Sequence, residues 1–392
     1  MAAQRLASTD EADAIADALV SSAVGGPPDS RRRGRFFPLA VQEVRPLTAD
    51  AVEVTFGVPA ELQEQFEFLP GQYVALRATI DGHEVRRSYS LCRPPTPGAI
   101  SVGIKRDFGG RFSSWAQTEL DPGDTLEVMS PQGSFTSSVD QFDGVHVAGI
   151  AAGSGITPLM ALATSVLGHS ATSRFTLVYT NRSTASIMFL DELSDLKDRY
   201  PTRFVVHHVL SREQRPSSLL SGRIDEEKLG GILDRLLLPT TVDEWFLCGP
   251  LELVQMCRSA LEGHGVENSR VRYELFTTTG EAGSQPRDKR PVRVRSDEPT
   301  YEISFTLDGQ LVKVDSPVSA AESILDAALR VRPDAPYACA GGVCGTCRAR
   351  VLEGSVNMTE NYALEPDELE RGYVLTCQSH PTTSRVRVDY DV

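Results

Sequence analysis

Hydrophobic positions change rhythm twice along the chain. From Phe36 to about Phe135 they come in short alternating or β-branched runs: Ala51 to Phe56, Tyr73 to Ile80, Ala99 to Ile104 and Thr125 to Met129. Pro70-Gly71, Asp81-Gly82, Pro97-Gly98 and Pro122-Gly123 separate them. Strands this short and closely spaced predict a small antiparallel β-barrel. Near His146 the runs become continuous, and Val145 to Ile150, Phe175 to Tyr179, Phe204 to Leu210 and Glu244 to Leu247 read as buried strands. Helical periods lie between them at Pro158 to Leu167, Ile187 to Arg199 and Leu251 to Gly263. That alternation predicts an α/β doubly wound parallel sheet. A third texture begins at Tyr301, with a strand-turn-strand pattern to Val314 about Asp308-Gly309. A helix from about Ala320 to Arg330 follows, its apolar face made by Ile324, Leu325, Ala328 and Leu329, so an α+β module is expected.

The segments between these textures have no period. Residues 1–36 read as a mobile extension broken by Gly25-Gly26-Pro27-Pro28, and 277–300 gathers Gly, Ser, Pro and charge as an interdomain linker. The multidomain division is therefore 37–140 for the barrel, 141–276 for the α/β domain and 301–392 for the α+β domain.

Composition narrows the chemistry. At 392 residues, 41% hydrophobic and 23% charged, the chain is ordinary for a globular protein of two or three domains. No apolar run approaches the roughly 20 residues of a membrane span, so no membrane partner is expected. Asp10, Glu11, Asp13 and Asp17 sit where a signal peptide would be basic, and the location expected is cytoplasmic. A net charge of -14 argues against a nucleic-acid partner, because backbone phosphates would be repelled. Arginines at Arg31 to Arg35 and Arg287 to Arg295 stand among Pro, Ser, Gly and Asp and read as solvated linker. Seven cysteines without an export signal do not suggest a disulfide framework.

Four of those cysteines suggest metal. Cys339, Cys344 and Cys347 are spaced C-x4-C-x2-C, and Cys377 follows. This is the plant-type 2Fe-2S ligand spacing: two sulfide-bridged irons need two thiolates each. Gly341, Gly342 and Gly345 would allow positive φ and aim amide N–H groups at sulfur. A four-cysteine zinc site would show two C-x2-C knuckles, and only one is present. Cys92 and Cys257 have no partner spacing and read as core residues.

Within the barrel stands Arg87-Ser88-Tyr89-Ser90, preceded by Pro70-Gly71-Gln72-Tyr73 and followed by Gly109-Gly110-Arg111-Phe112-Ser113 at a predicted helix start. Bare N–H groups there suit a pyrophosphate, and an arginine fork suits phosphate. Gly149 to Pro158 closes a strand and opens a helix, where a glycine loop can cradle phosphate. It departs from G-x-G-x-x-G and reads as G-x-G-x-x-P, with Pro158 expected at the first helical position.

These motifs resemble the ferredoxin-NADP reductase superfamily carrying a C-terminal plant-type 2Fe-2S domain. The resemblance implies that Arg87, Ser88, Tyr89 and Ser90 hold the flavin, Ile104 and Lys105 line it, and Gly110, Phe112 and Ser113 meet its phosphates. A second phosphate turn favours FAD over FMN. It also implies that Gly153, Ser154, Gly155 and Thr157 cradle the nicotinamide cofactor, with Cys248-Gly249-Pro250 beside its ring and Phe276, from Tyr273-Glu274-Leu275-Phe276, over the flavin. Catalytic roles then fall to Ser90, Cys248 and Phe276, with a buried small residue and a core phenylalanine as the plainer readings of the last two. Arg182, Ser211 and Arg212 resemble a grip on the 2'-phosphate of NADPH, which favours NADPH over NADH.

Hydride delivers two electrons together and a cluster accepts one, which is why flavin, nicotinamide and ferredoxin modules belong in one chain. Their order resembles reductase components of bacterial oxygenases. Leu126 to Met129, Pro131-Gln132-Gly133, Ser323 to Arg330, Pro336 to Cys339 and Asn361 to Leu369 bring it nearest to the reductase subunits of phenylacetyl-CoA epoxidases. The partner implied is a di-iron oxygenase component, with a Rieske oxygenase such as 3-ketosteroid 9α-hydroxylase as the alternative. A reading of another class is a non-catalytic electron carrier or redox sensor. Residues 301–392 hold 14 Asp/Glu against 8 Arg/Lys, so a basic docking face is expected on the partner.

Overall fold

The computed structural model describes residues 35–107, 109–137, 143–277, 292, 298–333, 335–337, 339–364 and 366–392. Nearly all of the expected extension (1–36), the linker (277–300) and both arginine-rich stretches lies outside the described residues.

Six strands form the first sheet: β1 (Phe36–Thr48), β2 (Ala51–Gly57), β3 (Tyr73–Ile80), β4 (His83–Ser90), β5 (Ala99–Lys105) and β6 (Thr125–Met129). They pair antiparallel in the order β4-β3-β6-β1-β2-β5. The sheet curls until Leu91, just past β4, bridges Val102 of β5. Alternation sends Leu39, Val54, Phe56, Leu76, Val102 and Val128 inward, and helix α1 (Arg111–Thr118) adds Phe112 and Ala116 to the same core. Each such large side chain contributes about 1.5–3 kcal/mol by leaving water.

The second sheet is parallel throughout. Strands β7 (His146–Ala152), β8 (Arg174–Asn181), β9 (Phe204–Leu210), β10 (Glu244–Pro250) and β11 (Val271–Thr277) lie in the order β11-β10-β7-β8-β9. The chain runs outward from β7 to β9 and returns to the other side of β7 with β10. This reversal opens a crevice at the carboxyl ends of β7 and β10, the place where doubly wound sheets bind ligands.

Helices α2 (Ile156–His169), α3 (Leu190–Arg199), α4 (Glu226–Arg235) and α5 (Leu251–Gly263) cover the sheet. Two expectations are corrected here. α2 starts at Ile156, so Pro158 is its third residue rather than its first, where its missing N–H still falls among the unpaired first-turn amides. α3 starts at Leu190 rather than Ile187, because Phe189 takes a left-handed φ of 59°.

The third module pairs β12 (Thr300–Leu307) antiparallel with β13 (Gln310–Pro317) and parallel with β18 (Arg385–Asp389). β14 (Arg348–Glu353) and β16 (Tyr373–Leu375) complete that sheet, while β15 (Val356–Met358) and β17 (Ser379–Pro381) pair separately. Helix α6 (Ile324–Val331) begins later than Ala320, because Ser323 and Asp326 form a capping box there and Ala321 is left-handed. A short helix, α7 (Pro366–Glu370), precedes β16. Among the described residues no helix is long and apolar enough to cross a membrane.

A charged knot ties the barrel to the parallel-sheet domain. Glu53 of β2, buried, accepts from Arg93 Nη2 at 2.6 Å and from Arg45. Both arginines also reach Glu192 on α3. Breaking the buried Glu53 pair from one side would cost about 3–5 kcal/mol within the barrel, whereas the link to the other domain runs through part-exposed Glu192 and helps set how the two domains face each other.

Candidate functional site

The crevice gathers groups from both large domains. Ser90 ends β4, pairs with Tyr73 of β3 and is buried. Its hydroxyl donates to Glu274 Oε2 at 2.9 Å across the domain boundary. The parallel register of β10 and β11 sets Cys248 opposite Glu274. Phe276 lies two residues on, on the same face of β11, part-buried against the core shared with α2 and β7. Burial raises the Glu274 carboxyl to about 7, against the Ser90 hydrogen bond and with the negative charge of Cys344 adding to the rise. Burial likewise pushes the Cys248 thiol well up, so at neutral pH it is a small uncharged surface and not a nucleophile.

The residues expected around the flavin divide into two groups. Arg87 is part-buried and donates from Nη1 to the Arg86 carbonyl at 2.7 Å. Ser88 has a buried hydroxyl with no partner among the described residues, and a polar ligand fits such an atom. Tyr89 stands 5.7 Å from the ring of Phe112, and Lys105 Nζ is 3.7 Å from Asp50. The Ile104 and Phe112 side chains, in contrast, belong to the barrel core. Gly110 is the N-cap of α1, and the Ser113 hydroxyl accepts from the Asp107 amide at 3.0 Å. What this turn offers an anion is the set of first-turn N–H groups.

At the carboxyl end of β7, Gly153-Ser154-Gly155 makes a 3₁₀ turn into α2. The Thr157 hydroxyl donates to the Ser154 carbonyl at 3.0 Å, and the Tyr179 hydroxyl to the Gly153 carbonyl at 2.8 Å. A Cβ on Gly155 would lie 2.2 Å from the Cys248 carbonyl oxygen, so glycine alone lets this loop close against Cys248-Gly249-Pro250. Farther along the edge, amides of Ser211 and Arg212 donate to the carbonyls of Asn181 and Arg182. This extends the β8–β9 ladder and sets Arg182 and Arg212 side by side, both exposed. Arg215, which no sequence motif marks, is a third exposed guanidinium on the same loop. Glu213 accepts from the Thr184 amide and hydroxyl at 2.8 and 2.7 Å and so holds the loop against β8.

In the third module the cysteine thiols meet in two pairs, Cys339 with Cys344 and Cys347 with Cys377. Among the described residues no group of three or more His, Cys, Asp or Glu converges as a single-ion site. Two pairs suit two irons, each taking two thiolates. Donors already point at sulfur: Gly341 N to Cys339 Sγ at 3.3 Å, Cys339 N to Cys344 Sγ at 3.4 Å, and the Thr346 hydroxyl 3.1 Å from Cys344 Sγ. Hydrogen bonding from Cys339, opposed by burial, lowers the Cys344 thiol to about 6. One detail of the loop is corrected: positive φ occurs at Ala340, Gly342 and Gly345, and not at Gly341.

Sequence reading missed two participants. In the sequence Glu274 is only one position of a strand-ending tetrapeptide, although a carboxylate among the apolar residues of a strand is a usable signal. Tyr73 was only the end of Pro70-Gly71-Gln72-Tyr73, and nothing local marked its phenol.

Three family models match the chain: an oxidoreductase FAD-binding domain over residues 38–137, an oxidoreductase NAD-binding domain over 150–259 and a 2Fe-2S iron-sulfur cluster binding domain over 305–382. One subunit of the 1,2-phenylacetyl-CoA epoxidase of Escherichia coli (strain K12) is 45% identical over 360 residues, 91% of this chain and 98% of that protein. The ferredoxin reductase component of 3-ketosteroid-9-alpha-monooxygenase from Rhodococcus rhodochrous is 35% identical over 357 residues, 90% of this chain and 96% of that protein. Phthalate dioxygenase reductase shares the fold at a TM-score of 0.54 and 21% identity, covering 93% of this chain and all of that one.

Proposed function

The chain belongs to the family of oxygenase reductases that join a flavin-binding barrel, an NAD-binding domain and a 2Fe-2S domain, and on that premise we propose that it moves electrons from NADPH to the di-iron component of a phenylacetyl-CoA epoxidase in the cytoplasm. Bound FAD would supply the conversion of a hydride into two single electrons, and a 2Fe-2S cluster held by Cys339, Cys344, Cys347 and Cys377 would supply one-electron transfer. The protein's part is placement. Arg87, Ser88, Tyr89 and the first turn of α1 hold FAD, and Gly153 to Thr157 hold the nicotinamide cofactor. Ser90 and Cys248 bracket the place where hydride crosses, and Glu274 keeps the Ser90 hydroxyl oriented through their 2.9 Å hydrogen bond. Phe276 excludes water from the same face.

The observation that carries this reading is the nearness of the two ends: Tyr73 pairs through its backbone with Ser90, whose hydroxyl bonds Glu274, and the Tyr73 hydroxyl meets the Cys344 carbonyl and Thr346. Hydride acceptance and single-electron exit thus share one crevice. Support for NADPH comes from Ser211 with three exposed guanidiniums, Arg182, Arg212 and Arg215, a donor set suited to a phosphate dianion. The Rhodococcus relative favours a second reading, a Rieske oxygenase as acceptor.

The test is anaerobic stopped-flow mixing with NADPH or NADH, followed by aerobic turnover with each oxygenase component from the same host. Rapid flavin bleaching, faster with NADPH, and product from the di-iron component are expected. Product only with a Rieske component would move the assignment to the second reading, and no bleaching with either nucleotide would leave a mere carrier.

A further inference from the structure

The ferredoxin module does not simply hang beside the barrel; one side chain of β3 reaches into its ligand loop. Tyr73 is buried, its ring packed among Ala75, Met129, Phe36 and Cys344. Its hydroxyl donates to the backbone carbonyl of Cys344 and lies 2.8 Å from Thr346 Oγ1. The Thr346 hydroxyl is in turn 3.1 Å from Cys344 Sγ. Gly133 leaves room for the ring, since a Cβ there would come within 2.9 Å of it. Alongside, Arg86 of β4 donates to the Pro333 carbonyl at 3.3 Å and stacks over Tyr337, 4.5 Å from its centroid. The same β3 residue pairs through its backbone with Ser90, the hydroxyl at the hydride end.

From this geometry we propose that Tyr73 is the positioning residue that locks the cluster loop onto the flavin barrel and, through Thr346, raises the cluster's readiness to take an electron. The proposal rests on the reductase reading above. Proton accounting fixes its sign. Tyrosine and threonine have one hydroxyl hydrogen each, and a ligating Cys344 thiolate has none. The Thr346 hydrogen therefore goes to Sγ, and the Tyr73 hydrogen to the Cys344 carbonyl with Thr346 Oγ1 accepting beside it. The Thr346 dipole points its positive end at the sulfur of a ligand whose centre gains negative charge on reduction, and the Tyr73 hydrogen, shared between the Cys344 carbonyl and Thr346 Oγ1, polarises that hydroxyl. Such donors around cluster sulfur raise its potential, and chained donors strengthen one another. The step itself makes and breaks no bond: the flavin side loses one electron, the cluster gains it, and the phenol keeps its proton.

The experiment compares the full-length protein, loaded with FAD and cluster, with Tyr73→Phe and Thr346→Val. Midpoint potentials come from titrations followed by the reduced cluster's paramagnetic signal, and stopped-flow separates flavin bleaching from cluster reduction. In Tyr73→Phe we expect the one-electron equilibrium to move about tenfold against cluster reduction, a fall of about 59 mV. Cluster reduction should slow by about tenfold, the low end for loss of an outer-shell partner, while NADPH bleaches the flavin at its original rate. Thr346→Val removes the hydroxyl on Sγ but leaves Tyr73 on the carbonyl, so it should lower the potential and leave docking intact. An unchanged potential and cluster-reduction rate in Tyr73→Phe would overturn the proposal. If that variant loses its cluster, an unchanged potential in Thr346→Val would overturn it instead. A wild-type protein with no reduced-state signal would sink the reductase reading itself.

Discussion

Three of the four cysteines proposed to hold the cluster fall within Cys339 to Cys347, whereas Ser90 and its partner Glu274 are 184 positions apart on different domains. The cluster loop is therefore organised largely by itself. Its own amides donate to its sulfurs, and its turns are set by Ala340, Gly342 and Gly345. The proposed hydride site needs the barrel and the parallel sheet to hold their mutual orientation, to which the Glu53, Arg93, Arg45 and Glu192 knot contributes. A local site fails by losing a ligand; a site shared between domains fails by losing a geometry.

That contrast can be broken most severely at the cluster. Cys344→Ser should keep hydride uptake and dye reduction but deliver no electrons to a protein acceptor, measured as oxygenase turnover beside dye reduction; normal turnover would show that the path bypasses the cluster. At the hydride end, Ser90→Ala should slow flavin bleaching by about 10²-fold, the low end for a positioned proton-carrying group, and leave the cluster's midpoint potential alone. A potential that moved with it would mean the two sites are one cooperative unit.

Arg212→Ala should raise KM for NADPH by about 10-fold, as expected on loss of one charge-assisted hydrogen bond, and leave KM for NADH in place. Equal effects on both would remove the 2'-phosphate assignment.

The smallest effect is that of pH. Glu274 has a folded value near 7, above its ordinary 4.5, so folding favours its protonated form. Its contribution to stability is complete below about 4.5 and is lost as pH rises through 7. A buried carboxylate also opposes the negative charge that arrives with hydride. Flavin bleaching should accordingly decline a few-fold as pH rises through 7, and Glu274→Gln should flatten the profile; a profile unchanged in that variant would assign the titration elsewhere.

Much of this molecule is written in short-range pattern. Pro-Gly and Asp-Gly turns mark β3 to the residue, and alternation after Pro122-Gly123 marks β6, whose Leu126 and Val128 face the core at every second position. Helix starts are less legible: α3 and α6 begin later than their periodicity suggests, because Phe189 and Ala321 take left-handed backbone that no hydrophobic count reveals. The sequence alone determined the three modules, the cysteine spacing and the glycine loop, since each depends on residues a few positions apart whose geometry the backbone itself dictates. Only the tertiary structure decided that Ser90 meets Glu274, that Cys248 stays a buried neutral thiol and that Tyr73 grips the cluster loop. Those contacts join residues whose separation in sequence has no bearing on their distance in space, and they arise only when whole domains pack together and exclude water from what lies between.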